Sequence, residues 1–190
     1  ICEKTIKSES NEWNFMLHLT SLAPNFFPSK SFYDNFEKVF NEACDVQSFP
    51  SYLKILSTAV DEIKYENFSE FFEKIEEKFF DVVQQYIQSC DDKIREIFKD
   101  NLITWNFLNS IQNEDFLEIL PLLAEFAVKI SPLVEGKEEI FYSHFQEFLP
   151  TSTLIPSLNL RICSSLLKLS PPEQQETEII NSLENNTVQI

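Results

Sequence analysis

One glycine, Gly136, has to serve a chain of 190 residues. Glycine takes positive φ at no steric cost, so tight hairpin turns and the loops that wrap backbone N–H groups around a phosphate both depend on it. Nucleotide-binding folds of the Rossmann or P-loop kind are therefore excluded. A sheet of glycine-bounded strands has little to work with either, and no stretch alternates apolar with polar residues while being rich in Val, Ile and Thr.

Apolar residues instead recur every three or four positions, which predicts an all-α chain. The first predicted helix covers 10–22 and stops at Pro24 and Pro28. The second begins at Ser31, whose hydroxyl can cap it, and ends near Cys44, with Phe32, Phe36, Val39, Phe40 and Ala43 on one face. Ser48 and Pro50 open a third, striped by Leu53, Leu56, Val60 and Ile63. The strongest period starts at Asn67 and steps through Phe68, Phe72, Ile75, Phe79, Val82, Tyr86 and Cys90, with a bend expected at Asp91-Asp92 before Ile94 and Ile97.

Further helices are expected over 102–111, over 116–130 with Asn113 as cap and Pro121 kinking or restarting the helix, over 138–149, and over 157–169. Ser170-Pro171-Pro172 should start a last one carrying Ile179, Ile180 and Leu183. Eight or nine short-to-medium helices then form a single bundle domain over 1–184, leaving 185–190 as a frayed tail.

Landmarks recur in one order: Cys2, Trp13-Asn14-Phe15, Phe32-Tyr33 with Phe36, and Cys44, then Cys90, Trp105-Asn106-Phe107, Phe141-Tyr142 with Phe145, and Cys163. The spacings differ, so the duplication is weak, with halves 1–90 and 91–184. Each half would close its own loop, pairing Cys2 with Cys44 and Cys90 with Cys163. Four scattered cysteines with no C-x-x-C point to two structural disulfides and hence to a secreted, extracellular protein, which a start at Ile1 suits. In that setting Asn67 and Asn185, both in N-x-S/T triplets, are glycosylation candidates.

Acidic residues outnumber basic ones throughout: residues 1–100 hold 19 against 11 and residues 101–190 hold 12 against 4, net −8 each. Nucleic acid and anionic membranes are thus poor partners, because binding a polyanion requires clustered Lys and Arg. No uncharged apolar run reaches the ~18–20 residues of a membrane span. The two histidines, His18 and His144, lie far apart with no metal-ligand spacing, and His144 reads as a core histidine between Phe141 and Phe148. No G-x-S-x-G elbow occurs, and acidic pairs such as Glu76-Glu77 and Glu138-Glu139 read as solvated faces. The expectation is a non-enzyme with no catalytic residue, no metal and no cofactor.

The excess of phenylalanine, 19 in all, remains to be explained. Large flat rings pack with limited adaptability, so a small helical chain lined with Phe15, Phe36, Phe40, Phe72, Phe79, Tyr86, Phe107 and Phe145 is expected to keep an apolar cavity for a lipid-like small molecule. The alternative is an extracellular effector or a self-assembling structural protein acting through exposed aromatics, since one ring of each doublet Phe71-Phe72 and Phe79-Phe80 should face outward. Below about pH 5, protonation of exposed carboxylates should relieve self-repulsion and favour a homo-oligomer.

Overall fold

A computed structural model describes residues 30–62, 68–99, 111, 114–134, 136–169 and 171–187. Among these the chain is all-helical, with no strand. The helices are α1 (Lys30–Ala43), α2 (Phe49–Glu62), α3 (Phe68–Lys99), α4 (Phe116–Ile130), α5 (Glu138–Gln146), α6 (Leu149–Ser152), α7 (Pro156–Leu166) and α8 (Glu173–Thr187). A 3₁₀ turn, Leu167–Leu169, extends α7. Backbone contacts gather into two compact units, residues 1–83 and 84–190, the division falling within α3.

In the first unit, α1 buries Phe36 and Phe40, α2 buries Phe49, Tyr52, Leu53 and Leu56, and α3 buries Phe68, Phe71, Phe72, Ile75, Phe79 and Phe80. Removing each such side chain from water contributes about 1.5–3 kcal/mol. Both members of the doublets Phe71-Phe72 and Phe79-Phe80 are buried, against the expectation that one of each would face out. Helix α3 is covered over two adjacent stripes rather than one. Between α1 and α2 the chain turns on a reciprocal pair: the Ser48 amide donates to Asp45 Oδ1 (2.8 Å) and the Asp45 amide donates to Ser48 Oγ (3.0 Å). The Ser48 hydroxyl therefore closes the preceding turn on Asp45 (2.7 Å) rather than capping α2.

Helix α3 runs unbroken through Asp91-Asp92, where a bend was expected. Both acids are used within the helix, Asp92 accepting from Gln88 Nε2 (3.2 Å) and Asp91 from Arg95 Nε (2.6 Å), each a four-residue step on one face. Paired acids there reinforce the helix instead of ending it.

In the second unit, α4 likewise continues through Pro121 without restarting. A proline inside a helix removes the N–H that would bond to the carbonyl four residues earlier, here that of Leu117. Arg161 Nη1 on α7 donates to that carbonyl at 3.1 Å. The vacancy left by the proline is thus filled from another helix. The expected helix over 138–149 ends at Gln146, and Leu149-Pro150 opens the separate four-residue α6 before α7. Gly136 sits at φ 77 between α4 and α5, the positive-φ position a glycine serves best. Helix α8 reaches Thr187, past the start of the expected tail at Asn185.

A buried polar network ties α6, α7 and α8 together. Asn159, fully buried, donates through Nδ2 to Ser152 Oγ (2.6 Å) and Ser182 Oγ (2.9 Å), while Ser152 Oγ donates to the Leu149 carbonyl (2.7 Å). Cys163 Sγ donates to Asn159 Oδ1 (3.7 Å), and the same helices bury Leu158, Ile162, Leu166 and Ile179.

Candidate functional site

Four of the eight side chains expected to line a ligand chamber, Phe36, Phe40, Phe72 and Phe79, come together in the first unit, but they meet one another. Phe36 stacks on Phe40 at 5.6 Å, Phe40 on Phe79 at 6.4 Å, and Phe72 meets Phe79 edge-on at 5.4 Å. Tyr52 fits edge-on against Phe36 (5.7 Å) and Phe40 (5.3 Å), and Phe49 and Phe80 close on Phe79 at 5.9 and 5.5 Å. These are contact separations for aromatic pairs. Tyr86 and Phe145 belong to the second unit and are also buried. Phe15 and Phe107, with His18 and both Trp-Asn-Phe triplets, lie outside the described residues. None of the surface clefts described below is lined by any of the expected rings.

The disulfide expectation is not met where it can be read. Cys44, Cys90 and Cys163 are free, buried thiols, so Cys90 and Cys163 are not paired and Cys44 holds no partner cysteine. Cys2 lies outside the described residues. Burial pushes the Cys44 and Cys90 thiols up to about 12 and Cys163 to about 11, which favours the protonated thiol at neutral pH. They behave as small apolar core residues. Asn67 lies outside the described residues, and Asn185 falls within α8.

One cleft of the second unit is a groove of about 410 Å³ along α3 and α5. Helix α3 contributes Gln84, Ile87, Gln88, Asp91 and Arg95, at the three- and four-residue steps that keep side chains on one face. Helix α5 and the turn after it contribute Ser143, His144, Glu147 and Phe148. Ile87 and Phe148 are buried and form an apolar floor. Arg95 bonds one Asp91 oxygen, Oδ2, while Oδ1 is buried with no hydrogen-bond partner. A buried acceptor without a donor costs about 1–3 kcal/mol, so it marks a place where folding has left a need unmet.

His144, expected in the core, is half-buried and lines this groove. Desolvation lowers its pKa below 6.5, keeping the imidazole neutral at pH 7. The Ser143 hydroxyl donates to the Ile140 carbonyl (2.8 Å) and is no activated nucleophile. Tyr142, whose phenol donates to Glu178 Oε2 (2.8 Å) and is shifted upward mainly by burial, lines a second cleft with Glu138, Glu139 and Pro171. Other clefts follow α3 at Gln85, Ser89 and Asp92, and lie at Asn41, Lys74 and Lys78 in the first unit.

Of the aromatic side chains whose burial is described, Phe98 is half-buried and the others are buried. The large apolar side chains that are exposed among the described residues are Leu154, Leu160 and Ile180. Among the same residues no helix is long and apolar enough to cross a membrane. No known family model matches the chain, and no curated protein or solved structure matches it either.

In the sequence, Asp91 beside Asp92 suggests a helix break rather than one wall of a groove. The signal was present in the spacing of Gln84, Gln88, Asp91 and Arg95, which places amides and opposite charges along one stripe of α3.

Proposed function

We propose that this chain is a non-enzymatic binding protein that engages its partner or ligand at its acidic helical surface, and that the phenylalanine-rich interior serves to hold that surface in shape. The observation that carries this reading is the mutual packing of Phe36, Phe40, Phe72 and Phe79, ring against ring at 5.4 to 6.4 Å. The surface on this reading is mainly polar and aliphatic, since the rings of the cluster are buried and the exposed large apolar side chains are Leu154, Leu160 and Ile180 among the described residues.

Carriage of an apolar small molecule is the competing reading. Native mass spectrometry of the purified chain, followed by organic extraction, separates the two. The surface reading expects the bare chain mass and no extractable lipid, and a stoichiometric lipid would overturn it. Association of copies at acidic pH belongs to the same reading, with carboxylate protonation relieving the repulsion of a chain of formal charge −16. An extracellular location draws support from the triplets at Asn67 and Asn185 alone, because the free thiols supply none; a glycan on the chain purified from its source would test it.

A further inference from the structure

We propose that the groove along α3 and α5 is a binding site for a protonated alkylamine, held through Asp91. The proposal rests on the surface-binding reading and deepens it by naming a ligand class. Its physical basis is the state of the Asp91 carboxylate. Oδ2 accepts from Arg95 Nε at 2.6 Å, whereas Oδ1 is buried and receives no donor. Folding has already stripped that oxygen of water. An incoming N–H therefore meets an acceptor that requires no further dehydration, and a charged donor makes the stronger bond.

The route in passes Arg95. Its side chain is 58% exposed while that of Asp91 is 13% exposed, so of the two partners the guanidinium is the one with room in solvent to move. An ammonium reaches Oδ1 when Arg95 turns outward. The sign of the ligand follows from the walls: Asp91 and Glu147 carry negative charge, Arg95 carries positive charge, and neutral His144 adds none, which leaves the groove one negative charge in excess. The alkyl portion is set by the floor of Ile87 and Phe148 and by a volume of about 410 Å³, within the range of small-ligand sites.

A free amine and a lysine side chain on a partner protein share this chemistry. The test is an NMR titration of the full chain with hexylammonium, with hexanol and hexanoate as controls and Nα-acetyl-lysine methylamide as a peptide-borne amine. The proposal expects saturable shifts of the Gln84 and Gln88 side-chain amides and of Arg95 Nε with an amine probe, and none with hexanol or hexanoate. The tighter of the two amine probes identifies the source. Asp91→Asn should weaken amine binding by about tenfold or more, the least that losing one charge-assisted hydrogen bond brings. Absence of saturable shifts, equal binding of hexanol, or an undiminished affinity in D91N would overturn the site. The hexylammonium-to-hexanol comparison on the unaltered chain keeps the test decisive even where D91N fails to fold. Failure here leaves the surface reading itself standing, because that reading falls to a lipid or an empty apolar chamber found in the interior, which the amine titration does not read.

Discussion

In the first unit rings meet rings: Phe79 alone touches Phe40, Phe49, Phe72 and Phe80, while the polar contacts between α1 and α3, Asn41 Nδ2 to the Lys74 carbonyl (3.1 Å) and Lys74 with Glu37 (3.3 Å), lie at the exposed margin. In the second unit the helices are also apolar inside, but their mutual placement runs through polar atoms, with Asn159 bridging α6 and α8 and Arg161 completing α4 at Pro121. The first arrangement is non-directional and draws its strength from buried area. The second is directional, and its strength lies in satisfying groups that would otherwise be stranded. A core of rings tolerates rearrangement until a ring is lost, whereas a polar network fails at single atoms.

The largest effect is expected where area dominates. Phe79→Ala should destabilise the chain by about 3–5 kcal/mol, read from urea unfolding, because it removes the ring on which four others converge. A loss below about 1 kcal/mol would mean the cluster is loosely packed and the contrast between the units is overstated. Asn159→Ala should cost about 2–3 kcal/mol by the same measurement, through two hydroxyls left without their donor and a small void. Arg161→Met keeps the aliphatic stem and removes the donor to the Leu117 carbonyl, so a loss of roughly 0.5–1.5 kcal/mol is expected. Combined with Pro121→Ala, which restores the missing N–H, that loss should shrink; an unchanged loss would remove Arg161 from its role at the proline.

The smallest effect concerns His144. Its folded-state pKa lies below its ordinary 6.5 through desolvation, so the unfolded chain binds the proton more readily. The stability it contributes is complete above about 6.5 and is lost as the pH falls through the folded-state value. His144→Gln should flatten the stability difference between pH 8 and pH 5.5 relative to the unaltered chain. A steeper difference in the variant would contradict the assignment.

The two units also differ in how far their sequences disclose them. In the first unit the stripe from Phe68 to Val82 predicts both the helix and its buried face, because burial on a helix follows spacing, and Phe68, Phe72, Ile75, Phe79 and Val82 are all buried. Asn159 and Arg161 are silent in the sequence. Their partners lie 7 to 44 residues away, and a polar residue within an apolar stripe gives no hint of which distant atom it will reach. Pro121 was legible as a disturbance but not as one repaired from α7. The cysteines misled for the same reason: an even count fixes no distances, and burial rather than pairing accounts for Cys44, Cys90 and Cys163. For the groove, the α3 half was readable as a stripe, while its α5 half, including His144, required the fold.

The account turns on the aromatic interior being filled, and xenon tests this most directly, since it enters dry apolar voids and leaves packed regions alone. Under several atmospheres of xenon, ring resonances of Phe36, Phe40, Phe72 and Phe79 should shift only weakly and in proportion to pressure. Saturable shifts at these four rings would reveal an empty apolar chamber among them and would return the chain to the role of carrier.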